Sequence, residues 1–360
     1  SGLRLDSLEL TDWRNLPASR VESDARFVVL SGDNAQGKTN ILEAVWVIAT
    51  LRSFRETRVA RLVRDGAERA RLVGVVNGPS GKRALDWRRE RSGARALRVD
   101  GQAVHDLDTW FGVLRAVLFC PEHVAVVRGE PSERRDFIDR AAFTASPTHL
   151  DVVRAYRRVI RQEAAALRMR RADPAVIGTF DSQLVVMGAR LAVRRQRVLD
   201  ELRAPFRDMH TAIAGQGEVS LRMRGLGAVA SKGEEAVKEA IVEALEDARV
   251  SERERGRVLV GPHRDDLDIQ LDGRAARAFA SQGQARSLVL ALKLAELEAA
   301  KRRGDAPLFL LDDLTSELDR GRMGRLVDLL AELPNQVWIT TTDPAWIGPL
   351  PGGDAKVVRV

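Results

Sequence analysis

Eight consecutive residues of the chain fit the pattern Gly-x-x-x-x-Gly-Lys-Thr, which is typical of a loop that binds the phosphates of a nucleotide. Gly32 and Gly37 allow the turn to wrap so that successive backbone N–H groups point inward at a polyphosphate. Lys38 adds a positive charge at the β and γ positions, and the hydroxyl of Thr39 can hold Mg²⁺. The predicted nucleotide-binding residues of this segment are Gly32, Asp33, Asn34, Ala35, Gln36, Gly37, Lys38, Thr39 and Asn40.

Two adjacent acids, Asp312 and Asp313, follow an apolar run at residues 308–311. Such a run predicts a buried strand that delivers a carboxylate to the carboxyl edge of an α/β sheet, where these sheets bind ligands. Asp312 is the predicted Mg²⁺ ligand together with Thr39. Asp313 is predicted to face the attacking water, so the predicted catalytic residues are Asp313 and Lys38. A helix N-cap after a strand is the alternative interpretation, and the phosphate loop in the same chain favours the metal site.

A second segment of phosphate-binding type lies far from the first, at Ser281-Gln282-Gly283-Gln284. It combines a hydroxyl, a glycine and free N–H groups before an amphipathic helix. One nucleotide does not need two such sites from one chain, so Ser281, Gly283 and Gln284 are predicted to bind the nucleotide of another protomer. The sequence therefore predicts an ATP-dependent homodimer. An ordinary capped helix is the alternative interpretation.

The elements around the phosphate loop have the pattern that positions such a site. Residues 26–30 form an apolar run of strand length before the loop, and Ile41, Leu42 and Val45 recur at helical spacing after it. The bound phosphates would thus lie at a helix N-terminus, where the helix dipole favours negative charge.

The N-terminal third of the chain predicts a mixed sheet. Residues 3–10 alternate like a half-buried strand, and Val21 and residues 27–30 are predicted to continue that sheet into the phosphate loop. Further alternating segments are separated by tight turns, which indicates antiparallel strands. They are residues 70–76, 83–89 and 96–99. Residues 114–119 predict another buried strand, and residues 336–340 are predicted to form the last one.

From about residue 131 to residue 250 the chain is rich in Arg, Glu, Ala and Leu and has few turn signals. Long helices are predicted at residues 149–172 and 180–206, broken near Asp173-Pro174 and paired antiparallel as an arm. A strand at residues 218–224 and a helix at residues 234–248 follow, and strand alternation returns at residues 267–271. The predicted domains are residues 1–130 and 256–360, which together form an α/β head, and an inserted helical domain at residues 131–255.

The composition of the chain limits the classes of protein to which it can belong. The net charge of +7 and the pI near 10.1 favour a polyanionic partner, although a bias toward Arg can also reflect genome composition. No apolar run approaches the roughly 20 residues of a membrane span, and no signal-peptide pattern begins the chain, so a cytoplasmic protein is expected. The only cysteine, Cys120, excludes an internal disulfide.

These motifs resemble those of the ATP-binding-cassette ATPases of the SMC-like class, and within it those of the bacterial RecF family. Residues 32–39 are similar to its Walker A motif, 280–284 to its LSGGQ-like signature, 308–313 to Walker B, 316–319 to the D-loop and 339–343 to the switch loop. Residues 13–15, 51–55, 121–122, 134–135 and 261–267 also match the family.

The resemblance implies an ABC-type P-loop ATPase head with a mixed sheet and an inserted helical domain, and it implies the cofactors ATP and Mg²⁺. It further implies an ATP-dependent dimer that binds double-stranded DNA, or its junction with a single-stranded gap, and loads RecA with the help of RecR and RecO. Asp313 replaces the usual glutamate after Walker B, which suggests slow hydrolysis suited to a switch. Gln282 replaces a signature glycine, Glu122 lies where a Q-loop glutamine is expected, and Thr342 stands in place of a histidine.

Two rival functions remain open from sequence. A transporter's cassette subunit is disfavoured because the helical insertion is long, and an architectural DNA clamp without turnover is disfavoured by intact Lys38, Asp312 and Asp313. The segment Gly-Pro-His-Arg-Asp-Asp at residues 261–266 could be a catalytic or metal cluster, and a structural turn or a strand edge near the nucleotide is favoured. Arginines of the first long helix could form a solvated surface or contact phosphates. They are Arg154, Arg157, Arg158, Arg161, Arg168, Arg170 and Arg171.

Overall fold

The structure is a computed structural model that describes residues 2–33, 35–169, 173–314 and 318–360. The strands in these ranges are β1 (Arg4–Trp13), β2 (Leu16–Glu22), β3 (Phe27–Ser31), β4 (Arg69–Gly78), β5 (Gly81–Glu90), β6 (Arg95–Val99), β7 (Gln102–Ala103), β8 (Ala116–Phe119), β9 (Val219–Arg224), β10 (Asp266–Leu271), β11 (Arg274–Ala275), β12 (Leu308–Leu311), β13 (Val337–Thr341) and β14 (Ala355–Arg359). The helices are α1 (Lys38–Thr50), α2 (Leu107–Phe111), α3 (Ala125–Arg128), α4 (Pro131–Ala145), α5 (His149–Leu167), α6 (Pro174–Ala214), α7 (Leu226–Val229), α8 (Glu234–Arg255), α9 (Ala276–Phe279), α10 (Gln282–Arg302) and α11 (Arg320–Glu332).

Contacts within the chain divide it into two compact units. The first unit consists of Ser1–His123, Met209–Gly215 and Val289–Val360, and the second consists of Val124–Asp208 and Gln216–Leu288. Residues 256–288, assigned from sequence to the C-terminal part of the head, cluster with the helices of the second unit. The predicted division into functional domains at residues 130 and 255 stays a prediction.

A five-stranded parallel sheet forms the centre of the first unit. Its strand order is β14-β3-β13-β12-β8. Every residue of β3, β8, β12 and β13 is buried, as expected for parallel strands that are covered on both faces. The carboxyl ends of β3, β12 and β13 lie along one edge of this sheet, so the segments that follow them can meet there.

A six-stranded antiparallel sheet, ordered β2-β1-β4-β5-β6-β7, also belongs to the first unit. The predicted antiparallel strands around residues 70–76, 83–89 and 96–99 are confirmed. The prediction that Val21 and residues 27–30 share one sheet is wrong, because β2 pairs with β1 whereas β3 belongs to the parallel sheet. Apolar alternation identifies a strand but carries no information about its partner.

The prediction that residues 336–340 form the last strand is also wrong, because β14 follows and pairs in parallel with β3. All five residues of β14 are exposed or half-buried. This edge strand therefore lacks the burial pattern by which strands are recognised in a sequence.

The second unit is built on α5, α6 and α8, whose apolar faces enclose one core. Members of that core are Val153, Tyr156 and Val159 of α5, Leu184, Ala189, Leu191 and Ala192 of α6, and Val237, Ile241 and Leu245 of α8. The predicted helix break near Asp173-Pro174 is confirmed, because α6 begins at Pro174 and the Asp173 carboxylate accepts a hydrogen bond from the Ala175 N–H at 2.9 Å. A three-stranded sheet ordered β11-β10-β9 completes the unit.

One helix in the described ranges, α6, is long and apolar enough by length and composition to cross a membrane, with a mean hydropathy of 1.3 over an 18-residue window. Core helices of soluble proteins pass the same test. Leu184 and Leu191 of this helix are 0% and 1% exposed within the core of the second unit, and 39% of the residues in the apolar window are buried.

Candidate functional site

The phosphate loop follows β3 and leads into α1 through Gly37, which caps the helix with φ of +115°. Only glycine adopts this conformation without strain, and a Cβ at this position would also lie 3.0 Å from Leu16 Cδ2. The Asp33 N–H donates to the Gln36 side-chain oxygen at 2.8 Å across the loop. A Cβ at Gly32 would lie 2.5 Å from that same oxygen, so the loop requires glycine at both ends.

Lys38 lies almost buried, at 8% exposure, in the first turn of α1. Its Nζ donates to the carbonyl oxygens of Gly32 and Asp33, both at 2.6 Å. The ammonium group is thus held inside the concave side of the loop by two neutral acceptors. Anionic oxygens would be stronger acceptors for it.

Asp312 is the residue to which two other polar side chains of the site donate hydrogen bonds. Its Oδ1 accepts hydrogen bonds from Thr39 Oγ1 at 2.9 Å and from Thr340 Oγ1 at 2.7 Å. The Asp312 backbone N–H donates to the Phe119 carbonyl at 2.9 Å, which continues the β12–β8 ladder. The structure therefore joins the predicted metal ligands Thr39 and Asp312 directly, although they are 273 residues apart in sequence.

Burial raises the pKa of the Asp312 carboxyl group, while its hydrogen bonds from Thr340 and Thr39 and the nearby charge of Arg55 lower it and the nearby Glu122 raises it. Both hydrogen-bond donors are neutral hydroxyls, and together with Arg55 they do not offset burial, so the pKa stays raised. A bound cation would favour the charged carboxylate. A hydroxyl and a carboxylate are oxygen donors of the kind that Mg²⁺ prefers.

Asp313, the other predicted catalytic residue, is exposed next to this carboxylate. Its backbone N–H donates to Thr340 Oγ1 at 2.8 Å, and its φ of +48° lies in the left-handed region, where Asp is tolerated better than most residues. Thr340 thus holds both acids at once. Thr342, which stands in place of the family's histidine, is exposed two residues later.

Both polar atoms of the Asn40 side chain are already hydrogen-bonded to other segments of the chain. Its Nδ2 donates to Asn15 Oδ1 at 2.7 Å, and its Oδ1 accepts from Arg55 at 3.2 Å. The Asn40 carbonyl accepts from Trp13 Nε1 at 2.7 Å. The segments at residues 13–15 and 51–55 therefore meet on α1 beside the phosphate loop.

A fully buried carboxylate, Glu43, was not singled out from sequence. Arg14 binds it with two hydrogen bonds, at 2.8 Å to Oε2 and 2.6 Å to Oε1, and Ser53 Oγ donates to the same group. This cluster attaches the turn after β1 and the segment after α1 to the loop helix. A glutamate inside an otherwise apolar helical face was the available signal for it.

Ser281, Gly283 and Gln284 lie at the start of α10, in the second unit. The Ser281 N–H donates to Gln284 Oε1 at 2.8 Å, and the Gln284 N–H donates to Ser281 Oγ at 3.2 Å. This reciprocal pair is a capping box, so the interpretation as a capped helix is satisfied within the chain. Binding to a second protomer's nucleotide stays a prediction.

The segment at residues 261–266 is a structural turn, as favoured from sequence. His263 Nδ1 is 2.6 Å from Tyr156 Oη, and Arg195 donates to the Pro262 carbonyl at 2.7 Å. The Asp265 carboxylate accepts from two backbone N–H groups at the start of α7, and Asp266 is bound twice by Arg134. In the described part of the chain, no cluster of three or more His, Cys, Asp or Glu side chains could hold a metal ion.

Residues 4–347 match the family model described as the RecF/RecN/SMC N-terminal domain. A protein of Anaeromyxobacter sp. (strain Fw109-5), named DNA replication and repair protein RecF, is 42% identical over 99% of this chain and 97% of its own length. The chain belongs to the RecF family. A Geobacter sp. (strain M21) protein of the same name is 40% identical to this RecF-family chain over 94% of the chain and 93% of its own length.

Solved structures agree with the family. The recombination mediator protein RecF-ATPrS in the RecFOR pathway has a TM-score of 0.88 and 25% identity, covering 100% of this RecF-family chain and 96% of that one. An Smc head bound to the C-winged helix domain of ScpA has a TM-score of 0.59 at 15% identity, covering 99% of this chain and 93% of that one. At this low identity the similarity is evidence for the fold alone. The predicted ABC-type ATPase head with a mixed sheet and a long helical insertion is confirmed.

Some of the residues singled out from sequence lie outside the described residues. They are Asn34 of the phosphate loop, Arg170 and Arg171 after the first long helix, and Ser316 and Glu317 of the D-loop. Besides Glu43, sequence reasoning did not single out Thr340. Its signal was its place at the end of an apolar strand, two residues before the threonine that was considered instead.

Proposed function

We propose that this RecF-family protein is an ATP-dependent DNA-binding protein. It dimerises with ATP, binds double-stranded DNA or its junction with a single strand, and promotes the loading of RecA together with RecR and RecO. The observation that carries the proposal is the pair of hydroxyls, Thr39 and Thr340, that converge on Asp312 at the end of the phosphate loop. The names of the relatives support the role in DNA replication and repair, and the RecF-ATP complex supports the nucleotide.

In the proposed mechanism, the Lys38 ammonium group exchanges neutral carbonyl acceptors in the loop for anionic phosphate oxygens of ATP. Lys38 leaves the carbonyl oxygens of Gly32 and Asp33 and donates to the β- and γ-phosphates, while the N–H groups of the loop bind the same oxygens. Thr39 and Asp312 would hold Mg²⁺, which supplies charge neutralisation at the phosphates when it is bound. The cation would also compensate the buried Asp312 carboxylate.

Asp313 orients the attacking water and accepts its proton. It is one methylene shorter than the glutamate usual at this position, so we expect slow turnover suited to a switch, faster on DNA. The Ser281 and Gln284 N–H groups would exchange their capping-box acceptors for the γ-phosphate held by a second protomer, where the Gly283 N–H and the Ser281 hydroxyl would join them. Each protomer's nucleotide would then be enclosed only in the dimer.

The decisive experiment uses Ser281→Arg and measures mass by light scattering with and without ATP, together with ATP binding by calorimetry. The substituted cation obstructs the partner's approach while the chain's own phosphate loop is unchanged. We expect normal ATP affinity, no ATP-dependent dimer and weakened binding to duplex DNA. Ser231→Arg, an exposed serine of the same unit, is the matched control and should dimerise like the parent.

Two outcomes would contradict the proposal. Dimerisation of Ser281→Arg at the parent's ATP and protein concentrations would exclude nucleotide contact by this helix across the interface. A parent protein that dimerises and binds DNA but releases no phosphate would be an architectural clamp instead of an ATPase.

A further inference from the structure

A stripe of exposed arginines runs along α5 in the second unit. Arg154, Arg158 and Arg161 are spaced by four and three residues, and Arg168 follows one residue after the helix ends at Leu167. All four are exposed. Residues at this spacing lie on one face of a helix, and at 1.5 Å per residue the stripe is about 21 Å long.

The opposite face of α5 is fixed in the core. Val153, Tyr156 and Val159 are 7%, 2% and 5% exposed, and the Tyr156 hydroxyl is held by His263. The helix is therefore anchored through residues other than the arginines. The packing of the buried face therefore sets the orientation of the stripe.

The arginines of α5 are weakly neutralised by the protein itself. Arg154 lies 4.0 Å from Asp151, and Arg157, on the flank of the stripe, lies 3.7 Å from Asp136. Arg158 and Arg161 make no ion pair with any residue in the four described ranges. By contrast Arg71, on the antiparallel sheet of the first unit, forms two hydrogen bonds with Asp86 at 2.8 and 3.0 Å.

Charge is segregated between helices of the same unit. The exposed acids of α8 lie mostly within its first four turns. They are Glu235, Glu239, Glu243, Glu246 and Asp247. A surface that needs only solubility mixes both signs, whereas α5 carries mainly positive charge and the first four turns of α8 carry mainly negative charge. This distribution favours a polyanion at α5 over one at the start of α8.

We infer that the stripe of Arg154, Arg158, Arg161 and Arg168, with Arg157 on its flank, forms a basic surface that binds the sugar-phosphate backbone of duplex DNA. The inference rests on the proposed function and deepens it by assigning the surface. A protein partner is less suited to this face, because protein interfaces have an apolar centre. None of the described side chains of α5 is an exposed large hydrophobic residue.

The test compares the parent with the double variant Arg158→Ala with Arg161→Ala in the full chain with ATP. Binding to a blunt duplex of fixed length is measured by fluorescence anisotropy over a range of salt concentrations. The slope of log K against log salt concentration should fall in magnitude by about 1.8 for the double variant, since each duplex phosphate contact contributes about 0.9. ATP binding and the unfolding temperature should match the parent.

The matched control is Arg69→Ala with Arg98→Ala, which removes the same charge from exposed positions on β4 and β6 of the first unit. Its salt slope should equal that of the parent. An unchanged slope in the α5 double variant, or an equal loss in the control, would overturn the inference while leaving DNA binding intact. A loss confined to single-stranded DNA would overturn it as well. Absence of duplex binding by the parent would instead refute the proposed function and this inference with it.

Discussion

Two buried aspartates, one in each unit, are held in opposite ways. Asp139 of α4 is bound by two hydrogen bonds from Arg195, both at 2.8 Å, and His149 Nε2 is 3.0 Å from it. Arg195 holds the pKa of Asp139 well below its ordinary value despite burial. Asp312 of the first unit receives only the hydroxyls of Thr39 and Thr340, and burial raises its pKa.

The difference separates a structural carboxylate from one that can do chemistry. Asp139 has a full positive charge beside it, so its own charge is compensated within the chain and it binds α4 to α6. Asp312 lacks a cationic partner among its hydrogen-bond donors and lies at the edge of a parallel sheet. A buried acid supported only by neutral donors is suited to receive a cation from outside.

The largest expected effect is on stability. Arg195→Met removes one member of a buried ion pair and leaves the charge of Asp139 uncompensated, which typically costs 3–5 kcal/mol. We expect a loss of about that size in the free energy of unfolding, measured with urea. Adding Asp139→Leu should recover much of the loss, since the unpaired charge is then gone. A single variant as stable as the parent would refute the structural role of this pair.

The corresponding substitutions in the first unit, at Asp312 and Asp313, should affect ATP hydrolysis. Asp313→Asn removes the proton acceptor, and we expect turnover to fall by about 10²-fold or more while ATP still closes the dimer. Asp312→Asn should lose both turnover and ATP-dependent dimerisation. Without nucleotide it should be at least as stable as the parent, because the substitution removes an under-compensated buried charge.

These variants test the comparison directly, by phosphate release, light scattering and urea unfolding. Identical behaviour of Asp312→Asn and Asp313→Asn with ATP would show that their roles are wrongly assigned. A strongly destabilised Asp312→Asn without nucleotide would show that Asp312 is a structural carboxylate like Asp139.

Lys38→Met should weaken ATP binding by roughly tenfold or more, because a charge-assisted hydrogen bond contributes about 1.5–3 kcal/mol. ATP-dependent dimerisation should be lost with it. Calorimetry measures the affinity, and Lys356→Met, on the edge strand β14, is a control that should bind ATP like the parent. Unchanged affinity in Lys38→Met would mean that the loop does not bind the phosphates.

The smallest effect concerns Glu163, on the buried side of α5. Burial, together with the nearby charges of Asp181 and Glu252, raises its pKa to about 8 although Arg249 lowers it. Since the folded protein binds this proton more tightly than the unfolded chain, stability falls as pH rises from the ordinary pKa of a glutamate to about 8. Between pH 7 and pH 9 the parent should lose about 1 kcal/mol more than Glu163→Gln.

Unfolding by urea at several pH values measures this difference, and Glu239→Gln at an exposed position of α8 should follow the parent. Parallel pH profiles for the parent and Glu163→Gln would mean that Glu163 does not titrate in this range. The direction of the pH dependence distinguishes the two kinds of carboxylate. An acid paired like Asp139 has a lowered pKa, so the protein instead loses stability as pH falls.

The sequence by itself determined the local parts of this protein. The phosphate loop, the helix α1 and the break before Pro174 follow from the φ preferences of Gly and Pro and from helical spacing, which act between neighbouring residues. The amphipathic pattern of α5 likewise fixed which of its residues are buried and which arginines are exposed.

Only the tertiary structure decided which distant residues meet. Thr340 reaches Asp312 because β12 and β13 pair in parallel with Leu311 opposite Ile339, which brings the two next residues side by side. The pairing of Arg195 with Asp139 and the place of β14 beside β3 are decided in the same manner. Strand order and helix packing depend on how apolar faces are buried together, and that choice is made by the whole core, since no short segment contains its own partner.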